Sequence, residues 1–448
     1  MTDAPRQMNS RNPIGWILLA AILLLLLLTN LAIYLIRPAD FASNLKRADA
    51  QLKTVMRLKT QTRDIAGETN SLLDSSIESL VPFENKETEA RLALLVFKHV
   101  AGRQISEDEL KPLKAENDPR VKAYYEIYSS KDLPRKAAQK LAVDVGSKHY
   151  YDQVAAFHAL VESGDPSALN QLDHGGSLTK SSTLIVLSGA IFFLGGILLL
   201  IFLILIATRQ IVPKGLPTEL LPPSDADRLA LRDAHYFLLF LLLPFLVRWL
   251  PLSHALGTSL EILVYVLLFG AIVALSRVPV EGRLFTLQRL GINKVNLGRN
   301  IALGSVVAVA NIPLVLLLGA LGTYVFRNLP QAEHPLVPQL ISGDIWVVVR
   351  AFLSASIAAP FIEEIMFRGT MFPAISSVLK SPVAGAVISS AFFAAIHPTG
   401  IPAWPALAAL GAVSCTLAYY TKSLVPSIAF HATHNSLTLL YTLLIFRS

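Results

Sequence analysis

The chain has 448 residues, of which 16% are charged and 53% belong to the apolar set AVILMFWYC, and its formal net charge is +7. Soluble domains carry about 25% charged residues, so this composition excludes a disordered or fibrous chain and argues against an ordinary soluble enzyme. The single cysteine, Cys415, excludes an internal disulfide and a thiolate metal cluster. We expect several membrane-spanning helices with some soluble mass. No basic run is interleaved with aromatic residues, so we expect no nucleic-acid partner.

The first apolar run is Ile14–Ile36, which follows two arginines and is itself followed by Arg37 and Pro38. A cleaved signal peptide has a shorter apolar core and then a small-residue cleavage site, which this stretch lacks. We therefore interpret residues 1–37 as a cytoplasmic N-terminus and an uncleaved signal-anchor helix.

Residues 38–180 differ in character, because acidic and basic residues nearly balance and no apolar run is long enough to span a bilayer. Apolar residues recur every three or four positions, which is typical of amphipathic helices. Aspartates shortly before Pro119, Pro134 and Pro166 indicate helix starts. The pattern predicts a soluble domain of short antiparallel helices. Two interpretations stay open, a packing or spacer domain and a domain that binds a peptide or protein partner.

Eight further apolar stretches follow, and with the first they predict about nine membrane spans. They are Ser182–Thr208, Tyr236–Leu252, Ser259–Leu275, Ile301–Phe326, Ile345–Val378, Val383–Ile396, Ala403–Tyr420 and Val425–Phe446. The predicted fold class is all-α: a polytopic membrane helix bundle with an extracytoplasmic helical domain inserted between spans 1 and 2.

Loop charges predict the orientation of these spans. The loop 277–299 carries five lysine or arginine residues and one acidic residue, whereas loop 253–258 has no lysine or arginine and loop 327–344 has one. Basic loops lie on the cytoplasmic side, so we expect a cytoplasmic N-terminus and an extracytoplasmic 38–180 domain. Short loops with a large extracytoplasmic insert favour a bacterial inner membrane.

Three ionisable residues, Glu363, Glu364 and Arg368, lie near the middle of one apolar stretch, where each charge is costly and needs a reason. Glu364 and Arg368 are four residues apart, the favourable order for an ion pair on one helix face. Glu363 points about 100° away and is left without a partner on its own helix, as a candidate general base. In the alternative interpretation, both glutamates share Arg368.

Two further apolar helices carry polar side chains. His397 ends one of them, four residues after Phe393, and His431 shares a helix face with Asn435 in the last. Each motif alone also fits ordinary helix packing. Together, a carboxylate and two imidazoles can activate a water molecule with or without a metal, and an amide can stabilise an oxyanion. This predicts hydrolysis of an acyl bond inside the bilayer, and whether His434 belongs to the site stays open.

The three motifs, Glu-Glu-x-x-x-Arg, Phe-x-x-x-His and His-x-x-x-Asn, resemble those of the CPBP family of intramembrane proteases. That family includes the CaaX prenyl endopeptidases and bacterial relatives linked to bacteriocin processing and immunity. The resemblance covers roughly Ile345–Phe446, and a start as early as Tyr236 stays open. Residues 345–448 would be the catalytic helices. This assignment leaves residues 181–344 as transmembrane helices 2–5, and residues 1–37 and 38–180 as an added module.

The resemblance also implies roles for particular side chains. Glu363 would activate the water, helped by His397 and His431, and Asn435 would stabilise the oxyanion. The supporting residues would be Glu364 and Arg368, which hold the helix and the substrate region, and Phe393, which lines the pocket.

The sequence determines neither the cofactor nor the reaction uniquely. Zinc or another divalent metal held by Glu363, His397 and His431 and a metal-free mechanism are equally open. The expected partners are membrane lipid and a membrane-associated peptide or protein substrate. A protein partner at the 38–180 domain is expected only if that domain is not a spacer. Two rival functions are a non-catalytic membrane scaffold or immunity protein of the same fold, and a proton-coupled transporter that uses the Glu/His cluster as a relay.

Overall fold

The computed structural model describes residues 13–36, 41–61, 73–74, 76–130, 132–172, 178–208, 223–248, 266–271, 296–326 and 345–447, with a few isolated positions between 264 and 340. Every regular element within these ranges is helical, so the predicted all-α class is confirmed there. The chain divides into two compact units. The bundle unit comprises Met1–Arg37 and Leu187–Thr442, and the insert unit comprises Pro38–Val186 and Leu443–Ser448. The predicted domain boundaries at 37, 180 and 344 stay predictions.

The insert unit contains six helices with complete bounds. They are α1 to α6 of this unit: α1 Phe41–Gln61, α2 Thr88–Val100, α3 Glu107–Lys114, α4 Pro119–Ser129, α5 Arg135–Val145 and α6 Tyr150–Glu162. The predicted start at Pro119 is confirmed, because the Asp118 side chain accepts a hydrogen bond from the backbone N–H of Arg120. The start at Pro134 is confirmed as well. Asp165 and Pro166 precede only a short 3₁₀ turn, Ala168–Gln171.

Helix α2 lies at the centre of the core of the insert unit. Leu92, Leu95 and Val96, which follow the helical spacing of apolar residues, are buried, and so are Leu94 and Phe97 on the other sides of the helix. Helices α1, α3, α4, α5 and α6 all contribute residues to the same hydrophobic cluster. Burial of apolar surface therefore stabilises this unit from a central helix outwards.

A polar network ties three helices of the insert unit together. Arg120 on α4 donates to Glu89 on α2 at 2.8 Å and to Asp152 on α6 at 2.6 Å. Asp152 is fully buried and accepts a second hydrogen bond from the Tyr124 hydroxyl. Burial would raise the pKa of Glu89, but hydrogen bonds from Arg120 and Tyr151 lower it to about 2. Each carboxylate of this network is thus matched by donors, as buried charges require.

The helices outside the insert core are numbered α7 to α14. They are α7 Ile14–Ile36, which comes first in the chain, α8 Leu178–Ala207, α9 Pro223–Arg248, α10 Leu297–Val325, α11 Ile345–Val378, α12 Pro382–Ala395, α13 Trp404–Thr421 and α14 Val425–Arg447.

Five helices in the described part of the chain are long and apolar enough to cross a membrane. Their spans are Ile14–Ala32, Val186–Leu205, Leu297–Val325, Ile345–Val378 and Ile401–Thr421. Each coincides with one of the nine predicted spans. Together with the apolar composition they indicate an integral, multi-pass membrane protein.

The other four predicted spans have different outcomes. Val383–Ile396 corresponds to α12, whose 14 residues give a length of about 21 Å, short of a hydrocarbon core of about 30 Å. Val425–Phe446 lies in α14, and the described part of Tyr236–Leu252 lies in α9, neither of which is among the five. Most of Ser259–Leu275 lies outside the described residues. Nine spans, the cytoplasmic N-terminus and the extracytoplasmic 38–180 domain therefore stay predictions.

Glycines allow close helix packing in the bundle unit. A Cβ added at Gly304 on α10 would lie 2.2 Å from the Pro426 carbonyl oxygen on α14. A Cβ at Gly411 on α13 would lie 2.9 Å from the Ser390 Cα on α12. Small residues at helix contacts are typical of membrane bundles, because close backbone approach increases van der Waals packing.

Helix α7, the predicted signal anchor, packs in the core of the bundle unit. Its Leu19, Leu23 and Leu26 are buried in the same cluster as residues of α9 and α11. The Trp16 indole N–H donates to Asp227 on α9 at 2.8 Å. One face of this helix is therefore complementary to the bundle. The prediction that the first span belongs to an added module stays a prediction.

Candidate active site

Helix α11 is interrupted by two stretches of π-helix, at Ser354–Ala358 and Ile365–Met371. Each stretch precedes a proline, Pro360 or Pro373, which lacks a backbone N–H and whose ring would clash with the carbonyl four residues earlier. The wider helix relieves that clash. Between the two stretches lies a short α-helical segment, Ala359–Glu364, that carries both glutamates. π-Helical turns are rare and occur frequently at functional sites.

Glu364 is fully buried and surrounded by donors. Arg368 donates to its Oε1 at 2.9 Å, as the four-residue spacing predicts. The Nδ1 atom of His431 lies 3.0 Å from the same oxygen, and the Ser427 hydroxyl donates to Oε2. The guanidinium of Arg368 also lies 4.4 Å from the centre of the Phe393 ring, a cation–π distance. The charge of Glu364 is thus neutralised and its position fixed from two helices.

Glu363 lies on a different side of α11. Its Oε2 atom is 3.6 Å from Nε2 of His397 and 3.9 Å from Nε2 of His431. This oxygen is buried and has no hydrogen-bond partner among the described residues. The ion pair of Arg368 is with Glu364, so the alternative in which both glutamates share Arg368 is not what the described contacts support. Three of the predicted site residues therefore meet, from α11, the end of α12 and α14.

Hydrogen bonds on the far side of each imidazole determine its tautomer. Nδ1 of His397 lies 2.5 Å from the carbonyl oxygen of Phe393, and Nδ1 of His431 lies 3.0 Å from the Glu364 carboxylate. Both partners are acceptors, so each Nδ1 carries a proton and donates it. In a neutral imidazole the Nε2 atom then has only a lone pair. The Nε2 lone pairs of His397 and His431 and the Glu363 carboxylate therefore face one another. Such an arrangement can bind a water molecule that donates its protons, or a cation.

The same three atoms are the candidate ligands of a metal. Two histidine nitrogens and a carboxylate are a usual zinc donor set, with bonds of about 2.0–2.2 Å, so tetrahedral ligands lie about 3.3 Å apart. The separations of 3.6 and 3.9 Å are wider. Within the described residues, no group of three or more His, Cys, Asp or Glu side chains has the arrangement of a metal site. The metal therefore stays a prediction.

Two other predicted residues lie beside this cluster. The Phe393 ring is buried, with its centre 4.4 Å from that of His397 and 5.6 Å from that of His431. The Asn435 side-chain amide donates to the Ala355 carbonyl at 2.7 Å, in the first π-helical stretch of α11. In the described part of the chain, His434 makes no hydrogen bond or ion pair with the Glu363 cluster.

Sequence reasoning missed two residues, one that contacts a motif glutamate and one that contacts α11 two residues beyond the motif arginine. Ser427 donates to Glu364, and it lies four residues before His431, on the same helix face as His431 and Asn435. That continuous polar stripe is a signal the sequence contained. Asp233 on α9 contacts Thr370 of α11 at 2.6 Å, and nothing in the local sequence pairs these positions.

Comparison with known families agrees with the motifs. Residues 345–437 match the family model described as type II CAAX prenyl endopeptidase Rce1-like. The match includes all three motifs and is consistent with the CPBP family, so the resemblance drawn from the sequence is confirmed. It does not extend to α7, to the insert unit or to α9. No curated protein and no solved structure matches the chain.

Proposed function

We propose that this protein is an intramembrane endopeptidase that hydrolyses a peptide bond in a membrane-associated peptide or protein. The observation that carries the proposal is the approach of the Glu363 carboxylate to Nε2 of His397 and of His431. The family match at residues 345–437 supports a peptidase of the CAAX type.

In the proposed reaction, a water molecule lies between Glu363 and the unprotonated Nε2 atoms of His397 and His431. Glu363 takes one proton from this water while the water oxygen attacks the scissile carbonyl carbon. The carbon–nitrogen bond then breaks, and the proton held by Glu363 passes to the leaving nitrogen. The second water proton remains with the new carboxyl group, so one peptide bond and one water give an acid and an amine.

Glu364 and Arg368 act through His431 in this proposal. The Glu364 carboxylate accepts a hydrogen bond from the Nδ1–H group of His431. This bond keeps the lone pair on Nε2 available for water, as a carboxylate does for a catalytic histidine in other hydrolases. Arg368 neutralises Glu364 inside the apolar bundle. The Phe393 ring packs against both imidazoles and limits their rotation.

We propose that Asn435 supports the oxyanion that forms on the scissile carbonyl. A side-chain amide has two N–H donors. One of them is donated to the Ala355 carbonyl, which orients the group and leaves the second for the substrate oxygen. Removing one such donor from an oxyanion hole lowers kcat by about 10²–10³-fold.

A prenylated C-terminal tail is the substrate suggested by the family description, and we extend it to this chain only by analogy. The apolar surroundings of Glu363 favour a substrate that reaches the site from the lipid phase. A divalent metal at Glu363, His397 and His431 would act as a Lewis acid toward the scissile carbonyl. Dialysis against a chelator, followed by metal analysis of the purified protein, tests that hypothesis separately.

The test compares wild type with Glu363→Gln and His397→Ala in membranes, at matched expression, by mass spectrometry of membrane peptide termini. We expect new termini in wild type that disappear in both variants, because a general base increases the reaction rate by about 10²–10⁴-fold. Glu107→Gln, an exposed carboxylate in the insert unit, is the matched control.

Equal termini in wild type and Glu363→Gln would overturn the proposal. If a phenotype then persisted, a scaffold role or a proton relay would explain the cluster better. Ion flux across proteoliposomes, lost in Glu363→Gln, would separate those two rivals.

A further inference from the structure

A buried contact outside the family-like segment holds the second π-helical stretch of α11. Asp233 on α9 and Thr370 in Ile365–Met371 are both fully buried. Oδ1 of Asp233 lies 2.6 Å from the Thr370 hydroxyl oxygen. These residues are 137 positions apart in the chain. The contact joins two helices that also contribute residues to one hydrophobic cluster.

The protons available at this contact can be counted. The Thr370 hydroxyl oxygen also lies 2.5 Å from the carbonyl oxygen of Met366. A hydroxyl carries one proton and can donate it to only one of these two oxygens. Both contacts can be hydrogen bonds at the same time if the Asp233 carboxyl group carries a second proton and donates it to the Thr370 hydroxyl. The chain of hydrogen bonds then runs from the acid through the hydroxyl to a carbonyl of α11.

The other carboxyl oxygen of Asp233 supports this assignment. Oδ2 is buried and has no hydrogen-bond partner among the described residues. A carboxylate in that environment would be strongly disfavoured, whereas a neutral acid requires less compensation. Asp233 therefore serves as a hydrogen-bond donor within the bundle.

The first π-helical stretch has a corresponding support, because Asn435 on α14 donates to its Ala355 carbonyl. Irregular backbone persists only where its surroundings determine it. Each π-helical stretch of α11 is thus held by a polar side chain from another helix. The segment Ala359–Glu364, with both glutamates, lies between the two supports.

We infer that Asp233 is a positioning residue for the active site, which sets the rotation of α11 so that Glu363 faces His397 and His431. The inference rests on the proposed function. A π-helical stretch accommodates one extra residue relative to an α-helix, and one residue corresponds to about 100° of rotation. Conversion of Ile365–Met371 to α-helix would therefore turn Glu363 away from the histidines relative to the C-terminal part of α11.

The kinetic test uses Asp233→Ala and Asp233→Asn in the full-length, reconstituted protein with a peptide substrate. We expect Asp233→Ala to lower kcat by about 10²-fold, as misplacement by 1 Å can do, with KM nearly unchanged. Asp233→Asn should restore most of the rate, because its amide N–H can donate to Thr370 in place of the acid. Asp225→Ala, a partly exposed carboxylate on the same helix, is the control.

A second variant pair uses the other partner. Thr370→Ser keeps the hydroxyl and should retain activity, whereas Thr370→Val removes it and should reproduce Asp233→Ala. The double variant Asp233→Ala/Thr370→Val should be no worse than either single variant. Full activity of folded Asp233→Ala, or a defect in Asp233→Asn equal to that of Asp233→Ala, would overturn the inference.

A readout independent of catalysis separates this inference from the proposed function. In a Cys415→Ser background, Glu363→Cys and His397→Cys provide a pair for disulfide cross-linking under mild oxidation. We expect Asp233→Ala to lower the cross-linking yield several-fold and Asp233→Asn to preserve it. Unchanged yield in Asp233→Ala would overturn the positioning role even if the protein cleaved no peptide. Absent cleavage with the expected cross-linking pattern would overturn only the proposed function.

Discussion

The insert unit and the bundle unit each contain an arginine that pairs with a fully buried carboxylate, and they use it differently. In the insert unit, Arg120 bridges Glu89 and Asp152, and hydroxyl groups complete the network. In the bundle unit, Arg368 neutralises Glu364, while the neighbouring Glu363 keeps an oxygen without a hydrogen bond among the described residues. A buried charge therefore does not by itself mark a functional site. The informative feature is a carboxylate that the fold leaves unmatched beside other acceptors.

The largest expected effect separates the two glutamates of α11. Glu364→Gln leaves the Arg368 charge buried without its counter-ion, which we expect to destabilise the protein by about 3–5 kcal/mol. Glu363→Gln should abolish cleavage while the melting temperature stays near that of wild type. Thermal unfolding in detergent, monitored beside peptide cleavage, checks both. Equal destabilisation by the two variants would contradict the distinction between a matched and an unmatched carboxylate.

A smaller effect is expected from the corresponding change in the insert unit. Arg120→Met leaves the fully buried Asp152 without its cation, but Arg120 is 21% exposed. We therefore expect the free energy of unfolding to fall by about 2 kcal/mol, which is less than for a fully buried ion pair. Hydrogen exchange of peptides from α2 in the full-length protein measures it. Lys111→Met, whose side chain is 71% exposed, should change exchange little, and an equal effect there would contradict the network's role.

The smallest expected effect is a loss of stability of the insert unit at low pH. The pKa of Glu89 is about 2 in the folded unit, against 4.5 for the free group, since donation by Arg120 and Tyr151 outweighs burial. A carboxyl group with a lowered pKa stabilises the fold fully above about pH 4.5, and that stability is lost as the pH falls toward 2. We expect exchange of α2 peptides to rise in that window. The rise should be smaller in Glu89→Gln, and an identical pH profile would refute the assignment.

The local parts of the site could be predicted from the sequence because helical periodicity converts spacing into shared faces. The pairing of Glu364 with Arg368 follows from a four-residue spacing, and the same rule, applied back from His431, would have found Ser427. The meeting of the three motif helices followed from the family resemblance. The metal, the oxyanion role of Asn435 and the number of spans stay predictions.

The remaining features depend on contacts between distant positions, which leave no local pattern. Pro360 and Pro373 indicate irregularity in α11, but not that it takes the form of π-helix. In the sequence, Asp233 resembles any charged residue that precedes an apolar stretch. Only its contact with Thr370 gives it a role. The packing of α7 escaped prediction for a related reason, since apolar length predicts membrane insertion and not which helix faces the core.

The position of α7 also has a consequence for biosynthesis. The side-chain amide of Asn30 donates to the carbonyl of Ile396, at the residue before His397 and 366 positions later in the chain. At about 5–20 residues per second, the ribosome needs roughly 20–70 s to synthesise that interval. Throughout this time the first helix is made but its acceptor is not. The nascent protein therefore cannot make this hydrogen bond until α12 has been synthesised. The Glu363 cluster can form only after α14, which carries His431, has been synthesised as well.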